Sequence, residues 1–327
     1  MKFAFIIDPI HRLDPGHDTS VAIMEAAQVL GHEVYVTQAD SLGVMDARAY
    51  GWLQSVKMKP VTLTQVEGGG TRWISEPDWY ELGERRWLAL EEMDAVFMRK
   101  DPPVTVPYLY VTYILDYIDP DKTLVVNSPA GLRAANEKMY ALQFADAIPE
   151  TIVSSDKQVI REAVERWGSG VLKPLGGKAG EGILFLEGRD RNFNSIVEVS
   201  TQQGAEPVMV QTYLPAAKEG DKRVVMLHGE PIGAVNRVPT GKEFRGNMAV
   251  GGRSDKTTLT TRDLEICRQV APALRRDGLI FVGIDIIGGY LTEVNVTSPT
   301  GIREIDRLDD VRLGNKVVEW VVDNRKQ

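Results

Sequence analysis

Asp285, Glu293 and Asn295 form the most chemically specific pattern in the chain. Glu293 and Asn295 are two residues apart, so on a strand they share one face. Residues 281–287 and 291–296 read as an apolar hairpin, and its turn decides whether Asp285 joins them. A two-residue Gly288-Gly289 turn pairs Asp285 with Thr292, whereas a three-residue Gly288-Gly289-Tyr290 loop pairs it with Glu293. The aliphatic pattern selects the longer loop, which sets Val282, Ile284 and Ile286 opposite Val296, Val294 and Thr292. A one-residue slip would exchange the buried and exposed faces. The outcome is two carboxylates and an amide oxygen together, a donor set suited to Mg²⁺. A solvated polar face on a half-buried hairpin is the competing reading.

Three further features could handle an anion. Residues 176–182, Gly-Gly-Lys-Ala-Gly-Glu-Gly, join two expected strands and follow Lys173-Pro174. Glycines let backbone N–H groups wrap anionic oxygens, although a plain hairpin loop would look the same. Lys138, Lys173, Arg223, Arg237 and Arg245 are isolated cations. Lys173 interrupts an apolar run and needs an anion or a path to solvent. Residues 238–256 form a long glycine-rich stretch holding Arg245, Asn247 and Arg253. Such a length reads as a lid or a disordered loop. Cys267 sits in an apolar helical stretch and reads as a small core residue rather than a nucleophile.

The surrounding elements follow from periodicity. Residues 3–8 form a strand, residues 20–30 a helix capped by Asp18 or Thr19 and stopped at Gly31, and Glu33–Thr37 a second strand. This β-α-β start predicts a parallel sheet, and its first turn lacks a dinucleotide-binding Gly-x-Gly-x-x-Gly. Residues 95–100 and 123–127 are strands around a helix at 108–118. Residues 43–93, with Trp52, Trp73, Trp79 and Trp87, show no period that assigns them. Beyond Asn127 the pattern becomes α+β: helices at 156–167, 260–277 and 303–324, and strands at 170–175, 183–187, 208–213 and 223–227.

Composition narrows the class. The chain has 327 residues and a formal charge of −8, with 43% apolar and 26% charged residues, as in globular proteins. No run approaches a membrane span, and the first residues are too short for a signal peptide. One cysteine and four histidines leave no disulfide framework and no Cys-cluster metal site, and point to a reducing cytoplasm. The acidic balance argues against nonspecific nucleic-acid binding.

The order of these pieces resembles the ATP-grasp superfamily. Within it, residues 98–103 (Met-Arg-Lys-Asp-Pro-Pro), Asn136-Glu137-Lys138, Gly220-Asp221-Lys222-Arg223, Arg245-Gly246-Asn247, residues 283–287 and residues 293–300 are similar to the prokaryotic glutathione synthetases. The resemblance runs from the first strand to the last helix.

It implies an ATP-grasp fold, α/β and α+β, with an N-terminal parallel α/β domain (1–126) and an ATP-grasp region (127–327). That region would hold a lid at about 150–213 and a catalytic part at 214–327. Lys138, Lys173, Gly176, Gly177, Gly180, Gln211, Thr212, Tyr213, Leu214 and Asp221 would bind ATP. Arg223, Arg245 and Asn247 would serve catalysis, and Arg99, Arg237, Ser298 and Thr300 the peptide substrate. Asp285, Glu293 and Asn295 would hold Mg²⁺, or Mn²⁺ in its place.

The implied reaction ligates γ-glutamylcysteine and glycine to glutathione through an acyl phosphate, releasing ADP and phosphate. A cytoplasmic homo-oligomer without membrane or nucleic-acid partners is the implied setting. Lys178, Ala179 and Glu181 interrupt the family's glycine pattern, so the N–H groups that would meet phosphate stay open. Another ATP-grasp carboxylate–amine ligase and a nucleotide-binding module without turnover are the competing readings.

Overall fold

A computed structural model of the chain describes residues 1–66, 70–177, 180–240 and 252–325. Three sheets carry the architecture. In the first, Glu33–Thr37, Lys2–Ile6, Ala95–Met98 and Leu124–Val126 run parallel in that order. The β-α-β start is as the periodicity predicts. The helix spans Thr19–Val29, and the Asp18 carboxylate accepts a bond from Val21 N as an N-cap.

Residues 43–93, unassigned from sequence, are mostly antiparallel strand. Arg48–Met58 and Tyr80–Ala89 pair with each other, and Leu42–Met45 adds to Arg48–Met58. Thr62–Gln65 and Thr71–Ile74 form a separate hairpin. Trp52 and Trp87 are cross-strand partners, and Tyr50 stacks on Trp87 at 5.7 Å. Aromatic cross-strand pairs stabilise such ribbons. Their long-range partners explain why a local period did not reveal them.

The second sheet, in the order Thr151–Ser154, Val208–Thr212, Ser169–Pro174, Leu184–Glu187, is antiparallel. Helices Lys157–Trp167 and Phe193–Ser200 close its own small core of Ile160, Val164, Leu172, Leu186, Phe193, Val197 and Val210. The third sheet orders Arg253–Lys256, Glu230–Val238, Asp221–Leu227, Phe281–Ile287 and Tyr290–Asn295, again antiparallel. The expected long loop at 238–256 is therefore strand at its far end, where Arg253–Lys256 pairs back onto residues 235–238. Arg245 and Asn247 lie outside the described residues.

The first and third sheets share one core. Helix Leu313–Asn324 packs on Thr19–Val29 so closely that a Cβ on Gly314 would lie 2.7 Å from the Ala22 carbonyl. Asn127 stitches the same joint. Its amide donates to the carbonyls of Phe281 and Val296 and accepts from Phe281 N. Among the described residues no helix is long and apolar enough to cross a membrane.

The expected single closing helix at 303–324 is two, Ile302–Asp309 and Leu313–Asn324. Asp310 takes the left-handed conformation (φ 54°) that ends the first. Asp306 accepts from Leu313 N at 2.8 Å and so caps the second. Burial pushes the Asp306 carboxyl up to about 6, against that bond and the charges of Arg312 and Arg303. Between about pH 4 and pH 6 the folded chain therefore holds a proton that the unfolded chain has lost, and this group's contribution to stability falls as pH rises. Asp306→Asn keeps an acceptor and removes that slope. Relative to the parent chain, the variant should gain on the order of 2 kcal/mol between pH 4 and pH 7. Melting temperatures across that range test this, and a pH-independent difference would contradict it.

Candidate active site

The second and third sheets, with loops of the N-terminal part, line a cavity of about 400 Å³. Its floor is the hairpin Phe281–Ile287 and Tyr290–Asn295. Asp285 lies opposite Glu293, and Gly283 opposite Asn295, so the three expected metal ligands share the cavity face. The pairing is as the sequence predicts, but its route differs. The turn is the two-residue Gly288-Gly289, both at positive φ (56° and 80°), and Ile286 pairs with Leu291. A bulge at Thr292 then restores the Asp285–Glu293 match. An inserted residue shifts register by one, which did the work expected of the longer loop.

Asp285 is fully enclosed by donors. Arg223 Nε and Arg237 Nη2 reach Oδ1 at 2.5 and 3.0 Å, and Arg223 Nη2 and Asn295 Nδ2 both reach Oδ2 at 3.1 Å. Burial would push this carboxyl up, but Arg223 and Arg237 outweigh it and hold it well below the usual carboxylate range. Strand pairing makes this geometry, because Arg223 faces Asp285 and Asp221 faces Arg237 in the sheet. Arg237 Nη2 also donates to Asp221 Oδ2 at 2.6 Å. Burial pushes the Asp221 carboxyl up to about 6, opposed by Arg237. Arg223 Nη1 donates to the Thr300 carbonyl at 3.0 Å, tying the sheet to the turn at Ser298 and Thr300.

The other side is built by the second sheet. Lys173 donates from Nζ to Gln211 Oε1 at 2.7 Å. Burial pulls its pKa down, with Glu293 and Asp221 opposing. Thr212, Tyr213 and Leu214 line the cavity at the end of the neighbouring strand. Lys138 joins the two sides, its Nζ lying 2.8 Å from the Gly177 carbonyl and 3.1 Å from Glu293 Oε1. Gly177 and Gly180 line the cavity, while Gly176 stands in the adjoining turn off its surface. A Cβ on Gly177 would meet the Glu181 carbonyl at 2.9 Å, so this loop needs glycine there.

Arg99 is not on the cavity. It is 4% exposed and donates to Ser20 Oγ and the Pro299 carbonyl, each at 3.0 Å. It therefore braces the wall that Ser298 and Thr300 form. Residue-by-residue reading missed Glu137. Its Oε1 accepts from Val296 N, Thr297 N and Thr297 Oγ1 at 2.8–3.0 Å, fixing the strand end beyond Asn295. The signal was an acid beside an expected phosphate-binding lysine. Also missed were Asp14, His17, Asp18 and Asp101, which line the cavity from N-terminal loops.

The donor set fits a divalent cation. Among the described residues no three His, Cys, Asp or Glu side chains gather, and the third oxygen donor beside Asp285 and Glu293 would be the amide of Asn295. That amide turns its nitrogen to Asp285, and a half-turn about its last bond would present the oxygen instead. Two carboxylates and an amide oxygen are hard donors of the kind Mg²⁺ takes, with open positions left for phosphate oxygens.

Residues 1–133 match the family model for the N-terminal domain of prokaryotic glutathione synthetase, and residues 137–310 that for its ATP-grasp domain. A glutathione synthetase from Nostoc sp. strain PCC 7120 is 67% identical over 99% of this chain and 98% of its own length. One from Mesorhizobium japonicum is 39% identical over 100% of this chain and 99% of its own. Among solved structures, a D-cycloserine synthetase superposes with a TM-score of 0.66 at 12% identity, covering 100% of both chains. An ATP-grasp ligase complexed with a minimal precursor gives 0.62 at 19%, covering 98% of each. These two share the fold alone. By its matched domains and by identity along nearly its full length, the chain belongs to the prokaryotic glutathione synthetases.

Proposed function

We propose that this chain joins γ-glutamylcysteine to glycine with ATP and releases glutathione, ADP and phosphate, using the cavity described above. The observation that carries the residue assignment is the lattice in which Arg223 and Arg237 converge on Asp285 beside Glu293 and Asn295. The dipeptide carboxylate attacks the γ-phosphate and forms an acyl phosphate. The glycine amine then attacks that carbonyl and expels phosphate. Neither step needs a protein nucleophile; both need positioning and charge neutralisation.

Each residue has a part. Lys138 and Lys173 neutralise phosphate oxygens, with N–H groups at Gly177 and Gly180 beside them. Residues 211–214 hold the base, and Asp221 the nucleotide. Arg223 and Arg237 orient the carboxylate and the transferring group, whose growing charge they stabilise. Ser298 and Thr300 seat the peptide. Asp285, Glu293 and Asn295 hold Mg²⁺, which screens phosphate charge when bound. Arg245 and Asn247, the further catalytic residues of this reading, lie outside the described residues. Glu137 is a positioning residue, since its bonds fix the backbone of residues 296–297.

The chain divides near residue 127 into an N-terminal part and an ATP-grasp region whose lid is the sheet at about 150–213. A cytoplasmic homo-oligomer is the setting that goes with this reading.

Purified chain given ATP, Mg²⁺, γ-glutamylcysteine and glycine should form glutathione and ADP in equal amounts. Nucleotide turnover without glutathione would contradict the assignment. Glu293→Gln should lower kcat at least about 100-fold, the scale on which a charge-stabilising group acts. Its melting temperature should stay within a few degrees of the parent. Near-parental activity would remove Glu293 from the metal site.

A further inference from the structure

The cavity holds the Lys173–Gln211 and Lys138–Glu293 pairs, and Glu293 lies opposite Asp285, which Arg223 ties to the Thr300 carbonyl. Residues 302–304, which follow Thr300, bond the N-terminal loop at Thr19, Pro15 and His17, and that loop lines the cavity with Arg12, Asp14, His17 and Asp18. Phosphates and the reacting carboxylate occupy the first stretch in the reading above. The loop must therefore meet the other end of the dipeptide, which carries a carboxylate and an ammonium on one carbon.

We infer that this loop reads that zwitterionic head, with His17 Nε2 donating to the α-carboxylate and Asp14 and Asp18 accepting from the α-ammonium group. The inference rests on the ligase reading above. The ring of His17 is held from behind, because its Nδ1 bonds Glu304 Oε1. Nε2 is then the ring atom left for the cavity that His17 lines. The bond to Glu304 raises the pKa of His17 against its burial, with the charges of Glu304, Asp14 and Asp18 adding to it. In its charged form the imidazole donates from both nitrogens, one of them held by Glu304. Glu304 is 7% exposed and its second oxygen is buried with no hydrogen-bond partner among the described residues, so the bond from His17 helps compensate its charge.

The carboxylates are similarly half engaged. One oxygen of Asp14 accepts from Gly16 N at 2.9 Å, and one of Asp18 from Val21 N at 3.0 Å. Their second oxygens carry no bond among the described residues. The loop is also preformed. Arg303 Nε donates to the Pro15 carbonyl at 3.1 Å, and Asp18 N to the Asp14 carbonyl at 2.7 Å. A Cβ on Gly16 would come within 2.9 Å of the Trp73 carbonyl, so the hairpin at Thr71–Ile74 backs it. Preformed partners of opposite sign, side by side, suit an amino-acid head and lower the ordering cost of binding it.

Substrate analogues separate this role from a structural one. 4-Aminobutanoylcysteine lacks the α-carboxylate and glutarylcysteine lacks the α-ammonium group. In His17→Asn the amide nitrogen can take the place of Nδ1 against Glu304, while Nε2 is lost. The parent chain should prefer γ-glutamylcysteine over each analogue by about 30-fold in kcat/KM, the scale of one charge-assisted bond. His17→Asn should cut the preference over 4-aminobutanoylcysteine to under about threefold and keep that over glutarylcysteine. Asp14→Asn should do the reverse. In both variants KM for ATP should stay within about twofold of the parent. Unchanged discrimination in His17→Asn, or an equal loss with all three substrates, would overturn the inference. Failure of the parent chain to form glutathione would instead overturn the ligase reading beneath it.

Discussion

A buried carboxylate between two arginines is the constraint on which the rest of this molecule depends. Asp285 is 2% exposed, and both Arg223 and Arg237 are nearly as enclosed. Charges so removed from water cost several kcal/mol each unless their geometry returns it. Here the return comes from four donors on two oxygens, a count that saturates the carboxylate. The arrangement survives only if three adjacent strands hold their registers together. Asp221–Leu227 must pair with Glu230–Val238 on one side and with Phe281–Ile287 on the other. A slip of one residue in either ladder would turn a guanidinium into the apolar core and leave Asp285 unpaired.

That demand explains features distant from the site. The shared core between the first and third sheets, the close helix contact at Gly314 and the Asn127 stitch all fix Phe281–Ile287 from behind. Glu137 and Arg99 do the same for the neighbouring chain at residues 296–299. The second sheet has its own core and meets the site mainly through polar links, Lys138 to Gly177 and Asn136 to the Leu175 carbonyl.

Much of this was legible in the sequence, and the limits were physical. Alternating aliphatics selected the Asp285–Glu293 pairing, because burial constrains faces strongly. They could not reveal that a tight glycine turn plus a bulge at Thr292 achieves it, since both routes give the same face pattern. The β-α-β start was visible in local period and caps. The ribbon at residues 48–89 was not, because its strands are specified by cross-strand aromatic partners distant in sequence. The division of the closing helix rests on a buried Asp306 reaching Leu313 N, a contact no period encodes. The resemblance named Arg99 as a substrate contact, but a motif orders residues along the chain without saying which side of a wall they occupy. His17 belongs to no spacing pattern, and Glu137, though it stands in the Asn136-Glu137-Lys138 block, shows its bonds to residues 296–297 only in the fold.

Asp285, anchored by Arg223 and Arg237, is proposed to join Glu293 and Asn295 in holding a divalent cation. Anomalous diffraction from crystals grown with Mn²⁺ and a non-hydrolysable ATP analogue tests it directly. The expected peak is flanked by these three side chains, with the Asn295 amide turned to present its oxygen and both arginines still on Asp285. A peak elsewhere in the cavity, or one that leaves Asp285 without contact to the ion, would contradict it.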